Sequence, residues 1–211
     1  MRTEDLIKTL AVDHTMDIAP ARMLALAVLA GAVIATLVFA EMLGVRPDVD
    51  EAMHTVRFPF KFVVTITLAI AGLALVSRLE RPGADWRAAA RLLIIPALLI
   101  GAAVVLEMIV VPPSGWEPRM VGSNAMICLT AIPTIAVAPL AAILIAMRHA
   151  APTAPVRAGA AAGLAAAAVA ATLYASHCTD DSPLFVVIWY SIAIALVTAA
   201  GALLGSRLLR W

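Results

Sequence analysis

The stretch MLALAVLAGAVIATLVFAEML, Met23–Leu43, holds 21 residues and a single charge, Glu41, close to its end. A helix rises ~1.5 Å per residue and the hydrocarbon core of a bilayer is ~30 Å thick, so about 20 apolar residues cross it. Five more runs of that kind follow: Phe58–Val76, Leu92–Val111, Ser123–Met147, Val156–Ala175 and Phe185–Ser206. The connections are short, and the longest polar piece is the tail of residues 1–22. The sequence therefore predicts an all-α polytopic membrane protein. Its six-helix transmembrane bundle occupies residues 23–211, and a tail with a short amphipathic helix occupies residues 1–22.

Composition agrees. The chain is 63% hydrophobic with mean hydropathy +0.99, and 14% of its residues are charged, against roughly 25% in soluble domains. A net charge of +1 supplies no basic patch for direct nucleic-acid binding. Thirteen of the fifteen basic residues are Arg and Ala is abundant, a bias of GC-rich bacterial genomes. The first 22 residues carry Glu4, Asp5, Asp13 and Asp17 rather than a short basic leader, so Met23–Leu43 is expected to be a retained span.

Basic residues predict the orientation. With a cytoplasmic N-terminus, eleven lie inside: Arg2, Lys8, Arg22, Arg78, Arg81, Arg87, Arg91, Arg148, Arg157, Arg207 and Arg210. Four lie outside: Arg46, Arg57, Lys61 and Arg119. The positive-inside rule then puts both termini in the cytoplasm. The outer loops collect acids, and Ser176–Pro183 (SHCTDDSP) is the most chemically varied segment of the chain.

Gly159-x-x-x-Gly163 and Gly201-x-x-x-Gly205 each place two glycines on one helix face, which lets another backbone approach. Intrachain packing and dimerisation both fit. Pro96, Pro133 and Pro139 lie inside spans and remove backbone donors. Such helices either shape a bundle or line a transport site. Glu41, Lys61 and Glu107 sit near outer span ends, where snorkelling or a Lys61–carboxylate pair suits them. The same charges and kinked helices define an alternative function, a small transporter or metal-efflux component.

Cys128 lies about two turns into the fourth span, and Cys178 stands in the last outer loop beside His177, Asp180 and Asp181, where exposure is expected. Three readings are open: a disulfide, a transient soft-metal site of both thiols with His177, and small buried apolar residues. No cofactor is required by any motif. H-E-x-x-H, G-x-S-x-G, a phosphate-cradling glycine loop and C-x-x-C are all absent from the sequence, so the chain is not expected to be an enzyme.

In the tail, Thr3 can cap a short helix with Glu4 and Asp5 in its first turn. Leu6, Ile7 and Leu10 then form an apolar stripe. Four acids against Arg2 and Lys8 suit anionic lipid poorly and suit a protein groove better. The opening Thr-x-Asp-Leu-Ile-x-x-Leu-Ala-x-Asp at Thr3–Asp13, the six spans and the placement of Cys128 and Cys178 together resemble the NrsF-type membrane anti-sigma factors. That resemblance covers the whole chain. It implies a regulator in the bacterial inner membrane that holds an extracytoplasmic-function sigma factor there and releases it on a metal or oxidative signal. It also implies that Asp5, Leu6, Ile7, Leu10 and Asp13 bind the sigma factor, and that Cys128 and Cys178 sense the signal. His177 joins that pair by proximity alone.

Overall fold

Every element in the computed structural model, which describes residues 20–150 and 152–210, is helical. Six helices are long and apolar enough to cross a membrane: α1 Pro20–Met42, α2 Arg57–Leu79, α3 Arg87–Val110, α4 Ala125–Arg148, α5 Pro155–Ala175 and α6 Pro183–Leu208. All six match the spans expected from hydropathy, with ends displaced by a few residues where a helix continues past its apolar run. The expected tail helix lies outside the described residues. An even number of crossings returns the chain to the end where it began. One end of the bundle carries the loops 43–56, 111–124 and 176–182 and is rich in acids; the other carries most of the arginines.

Helix α5 sits at the centre, packed against α6, α2 and α4, while α1 lies on α4. In its most apolar window 72% of α5 is buried, against 11% for the peripheral α3. The cause is side-chain size. Association of helices inside a bilayer depends on close van der Waals packing, and small residues permit it. A Cβ added to Gly159 would collide with the Gly201 carbonyl and stand 2.7 Å from Gly205 Cα; one added to Gly163 would stand 2.5 Å from the Val197 carbonyl. The glycine pairs of α5 and α6 thus face each other within one chain, which settles their role in favour of intrachain packing. The device recurs on other faces. A Cβ at Gly72 would lie 3.0 Å from Ala165 Cα, and one at Gly31 would lie 2.7 Å from Pro139 Cα.

Proline and a π turn supply the irregularities. Pro96 has no amide to give to the Leu92 carbonyl; Ile95 donates to it instead at 3.1 Å, and α3 breaks at Leu92 and Leu93. Helix α4 stays continuous through Pro133 and Pro139. Helix α6 opens with Pro183–Phe185, passes through a π turn at Val186–Tyr190 and continues as Ser191–Leu208.

The glycine contact is open to a direct test. Gly159→Val should lower stability in detergent by about 3 kcal/mol through overpacking. Gly101→Ala, where an added Cβ meets nothing within 4 Å, should be neutral or slightly stabilising. Unfolding midpoints of the two variants against the parent protein provide the measurement.

Candidate functional site

Loop 176–182 is where the chemistry gathers, and it is fastened to the bundle by charge. Lys61, 2% exposed on α2, places Nζ 2.5 Å from Asp181 Oδ1 and donates to the Cys178 carbonyl at 2.8 Å. Arg46, in the α1–α2 loop, donates to Asp181 at 2.9 Å and to the same Cys178 carbonyl at 3.3 Å. Its other edge grips Asp48 bidentately at 2.7 and 2.6 Å. The Arg46 hydrogen bonds hold the Asp48 carboxyl down at about 2. Both cations lie over the Phe58 ring, at 5.3 Å for Arg46 and 5.2 Å for Lys61. The Lys61–carboxylate pair expected from the sequence exists, and its partner is Asp181.

Asp180 faces the other way. Its Oδ2 accepts from the backbone amides of Ser123 at 3.0 Å and Asn124 at 2.8 Å, and from the Asn124 side chain at 2.9 Å. These amides precede α4, so a carboxylate from the α5–α6 loop serves the positive end of the helix that carries Cys128. Gly122, at φ +59°, turns the α3–α4 loop back over this region; a Cβ there would lie 2.5 Å from the Phe185 ring. Glu107 of α3 is held by Arg57 at 2.9 Å and Arg119 at 2.6 Å. Glu41 is exposed. Lys61 and Glu107 are therefore occupied in pairs at one end of the bundle.

Cys178 overturns an expectation. The polar neighbourhood suggested exposure, yet its exposure is 0%, as is that of Cys128. The polar side chains around it turn outward into the pairs just described, leaving the thiol inward. Both cysteines are free and belong to one buried cluster with Tyr174, Phe185, Val186 and Tyr190. Burial pushes the Cys178 thiol up from its ordinary value, with Lys61 opposing in part, so the group is a protonated thiol at neutral pH and a poor nucleophile. The Tyr174 and Tyr190 rings stand 5.7 Å apart, and the Tyr190 hydroxyl is buried without a hydrogen-bond partner.

His177 does not join the thiols. Its Nδ1 lies 3.0 Å from the Gly44 carbonyl, which only accepts, so that nitrogen carries the proton. Among the described residues no three His, Cys, Asp or Glu side chains are grouped to hold a metal ion. The tail residues Asp5, Leu6, Ile7, Leu10 and Asp13 lie outside the described residues. Sequence reasoning missed Arg46, whose position in a loop gives no sign of its reach, and Tyr190, which reads as an ordinary interfacial aromatic. It also missed Glu80 at the opposite end, 2% exposed, its Oε1 without a hydrogen bond and 3.9 Å from Arg81 Nε, and its carboxyl raised by burial with Arg81 opposing.

Comparison with known proteins places this architecture. The family model described as "Negative regulator of sigma F" matches residues 10–211. The chain belongs to the NrsF family. It is 38% identical to the probable anti-sigma-F factor NrsF of Azospira oryzae and 37% identical to the anti-sigma-F factor NrsF of Caulobacter vibrioides, in each case over 100% of both chains. No solved structure matches it. Membership in this family makes the protein a regulator and not an enzyme.

The clamp yields a prediction. Asp181→Asn leaves Lys61 buried beside a neutral amide. Removing one partner of a buried pair costs about 3–5 kcal/mol, and thermal unfolding should show a loss of that order. Asp50→Asn, at an exposed acid of the neighbouring loop, should stay within about 0.5 kcal/mol.

Proposed function

We propose that this protein is an anti-sigma factor that retains an extracytoplasmic-function sigma factor at the bacterial inner membrane. The observation that carries this reading is full-length similarity to two proteins named anti-sigma-F factors, with the tail sequence at Thr3–Asp13 beside it. The arginine-rich end faces the cytoplasm under the positive-inside rule, so the tail reaches the compartment where a sigma factor resides. Leu6, Ile7 and Leu10 dock as an apolar stripe, and Asp5 and Asp13 flank it with charge complementary to a basic groove.

The acid-rich end faces outward and carries the sensor, in which Cys128 and Cys178 respond to a soft metal or an oxidant. Their burial means that the resting state protects the thiols, and that signalling requires loop 176–182 to yield. A signal shifts the equilibrium only by its differential affinity for the retaining and releasing states. A thiol pair that is inaccessible in one state and reachable in the other meets that requirement. The Asp180 link to the start of α4 gives loop movement a route into the helix bearing Cys128.

Affinity capture from membranes tests the reading. The intact protein should co-purify with a sigma factor. Deleting residues 1–19 or making Leu10→Asp should abolish capture while the bundle remains inserted. Cys128→Ser and Cys178→Ser should leave resting capture intact and blunt release by metal or oxidant. Capture that survives loss of the tail, or normal release from the double Cys→Ser protein, contradicts the respective half of the proposal.

A further inference from the structure

A groove on the described part of the bundle lies apart from the cysteine loop. It is an open groove of about 720 Å³ between α4 and α6, running from Leu129 and Pro133 to Arg148 and Leu208, within the size range of ligand sites. Leu140, Leu144, Leu196 and Leu204 form its walls, and Arg148 is the one charged residue that lines it. From Leu129 to Arg148 the helix rises about 28 Å, so the groove's length spans most of the hydrocarbon core and ends at the arginine-rich surface.

Three observations identify the occupant. First, the walls are wrong for another helix. At the α5–α6, α2–α5 and α1–α4 contacts, a glycine on one helix opposes a small residue or backbone on the other, as at Gly159 with Gly201, Gly72 with Ala165 and Gly31 with Pro139. The groove contains no glycine and is studded with leucines, which hold a helix backbone away but admit a narrow, flexible chain. Second, Arg148 is exposed at the mouth, and Arg207 is exposed in the last turn of α6 between the groove residues Leu204 and Leu208. Third, among the described residues neither arginine has a carboxylate partner, whereas Arg46, Arg57 and Arg119 at the other end all do. A basic mouth between membrane helices, opening onto an apolar channel, is the chemistry that takes an anionic lipid headgroup and its acyl chain together.

We infer that the α4–α6 groove binds an anionic phospholipid, its acyl chain against Leu140 and Leu144 and its phosphate on Arg148 and Arg207. The bound chain fills the gap between the helix that carries Cys128 and the helix that follows the Cys178 loop.

Native mass spectrometry of the full-length protein tests this, with equal amounts of phosphatidylglycerol and phosphatidylcholine added in detergent. The expected result is preferential retention of phosphatidylglycerol. Arg148→Gln with Arg207→Gln should weaken that retention about thirtyfold, the equivalent of about 1 kcal/mol per arginine. Arg78→Gln with Arg91→Gln removes the same charge elsewhere on that end and should leave retention unchanged. Ala200→Trp, at an exposed small residue of the groove, should displace lipid without altering charge. Equal retention of the two lipids, or an equal effect of the two arginine pairs, overturns the proposal. So does efficient cross-linking of an Ala200→Cys variant into a dimer, which would assign the groove to a second copy of the chain.

Discussion

One carboxylate, Asp181, meets two buried cations that the chain brings from separate places, and Asp48 shares the second of them, Arg46. Lys61 comes from the side of α2 and Arg46 from the α1–α2 loop, and both also bond the carbonyl of Cys178. Neither cation is tolerable at that depth without an anion, because desolvated charge costs several kcal/mol per ion. The loop is thus held in place by the bundle's need for its charge. With Asp180 engaged at the start of α4, the short run from Cys178 to Asp181 touches α2, α4 and the first loop at once. The burial of the two thiols follows from that fastening.

The bundle beneath has a different logic. Its centre is an alanine- and glycine-rich helix that would gain little from facing lipid and gains much from letting three neighbours approach its backbone. Close backbone packing replaces interdigitating large side chains where Gly159 meets Gly201 and Gly205, while large aromatic side chains, Tyr174 and Tyr190, fill the contact toward the π turn at Val186–Tyr190. A wide turn in a helix is a common mark of a functional segment. Here it lies immediately after the cysteine loop, beside the unpartnered Tyr190 hydroxyl.

The six spans were legible because length and lack of charge suffice to recognise a membrane helix, and no tertiary information is needed. The glycine pairs were legible as sites of close approach, but the partner was not: spacing on one helix cannot say which backbone comes near. Lys61 was legible as a residue in need of a carboxylate. Asp181 was not legible as that carboxylate, since a separation of 120 positions along the chain carries no signal of proximity. Cys178 was misread for a physical reason. A run of Ser, His, Thr and Asp normally marks a solvated loop, but here His177, Asp180 and Asp181 bond backbone and cations of other elements, and the Cys178 thiol turns inward. The family resemblance lay in a short tail motif and cysteine placement that hydropathy alone does not weigh.

The Cys178 thiol is shielded behind the Asp181 clamp. The rate at which a membrane-impermeant maleimide labels Cys178 from the outside of intact spheroplasts, in a Cys128→Ser background, measures this most directly. Labelling of the resting protein should be slow, and much faster once Asp181→Asn releases the loop. Rapid labelling of the resting protein, or labelling only from the cytoplasmic side of inverted vesicles, would contradict it.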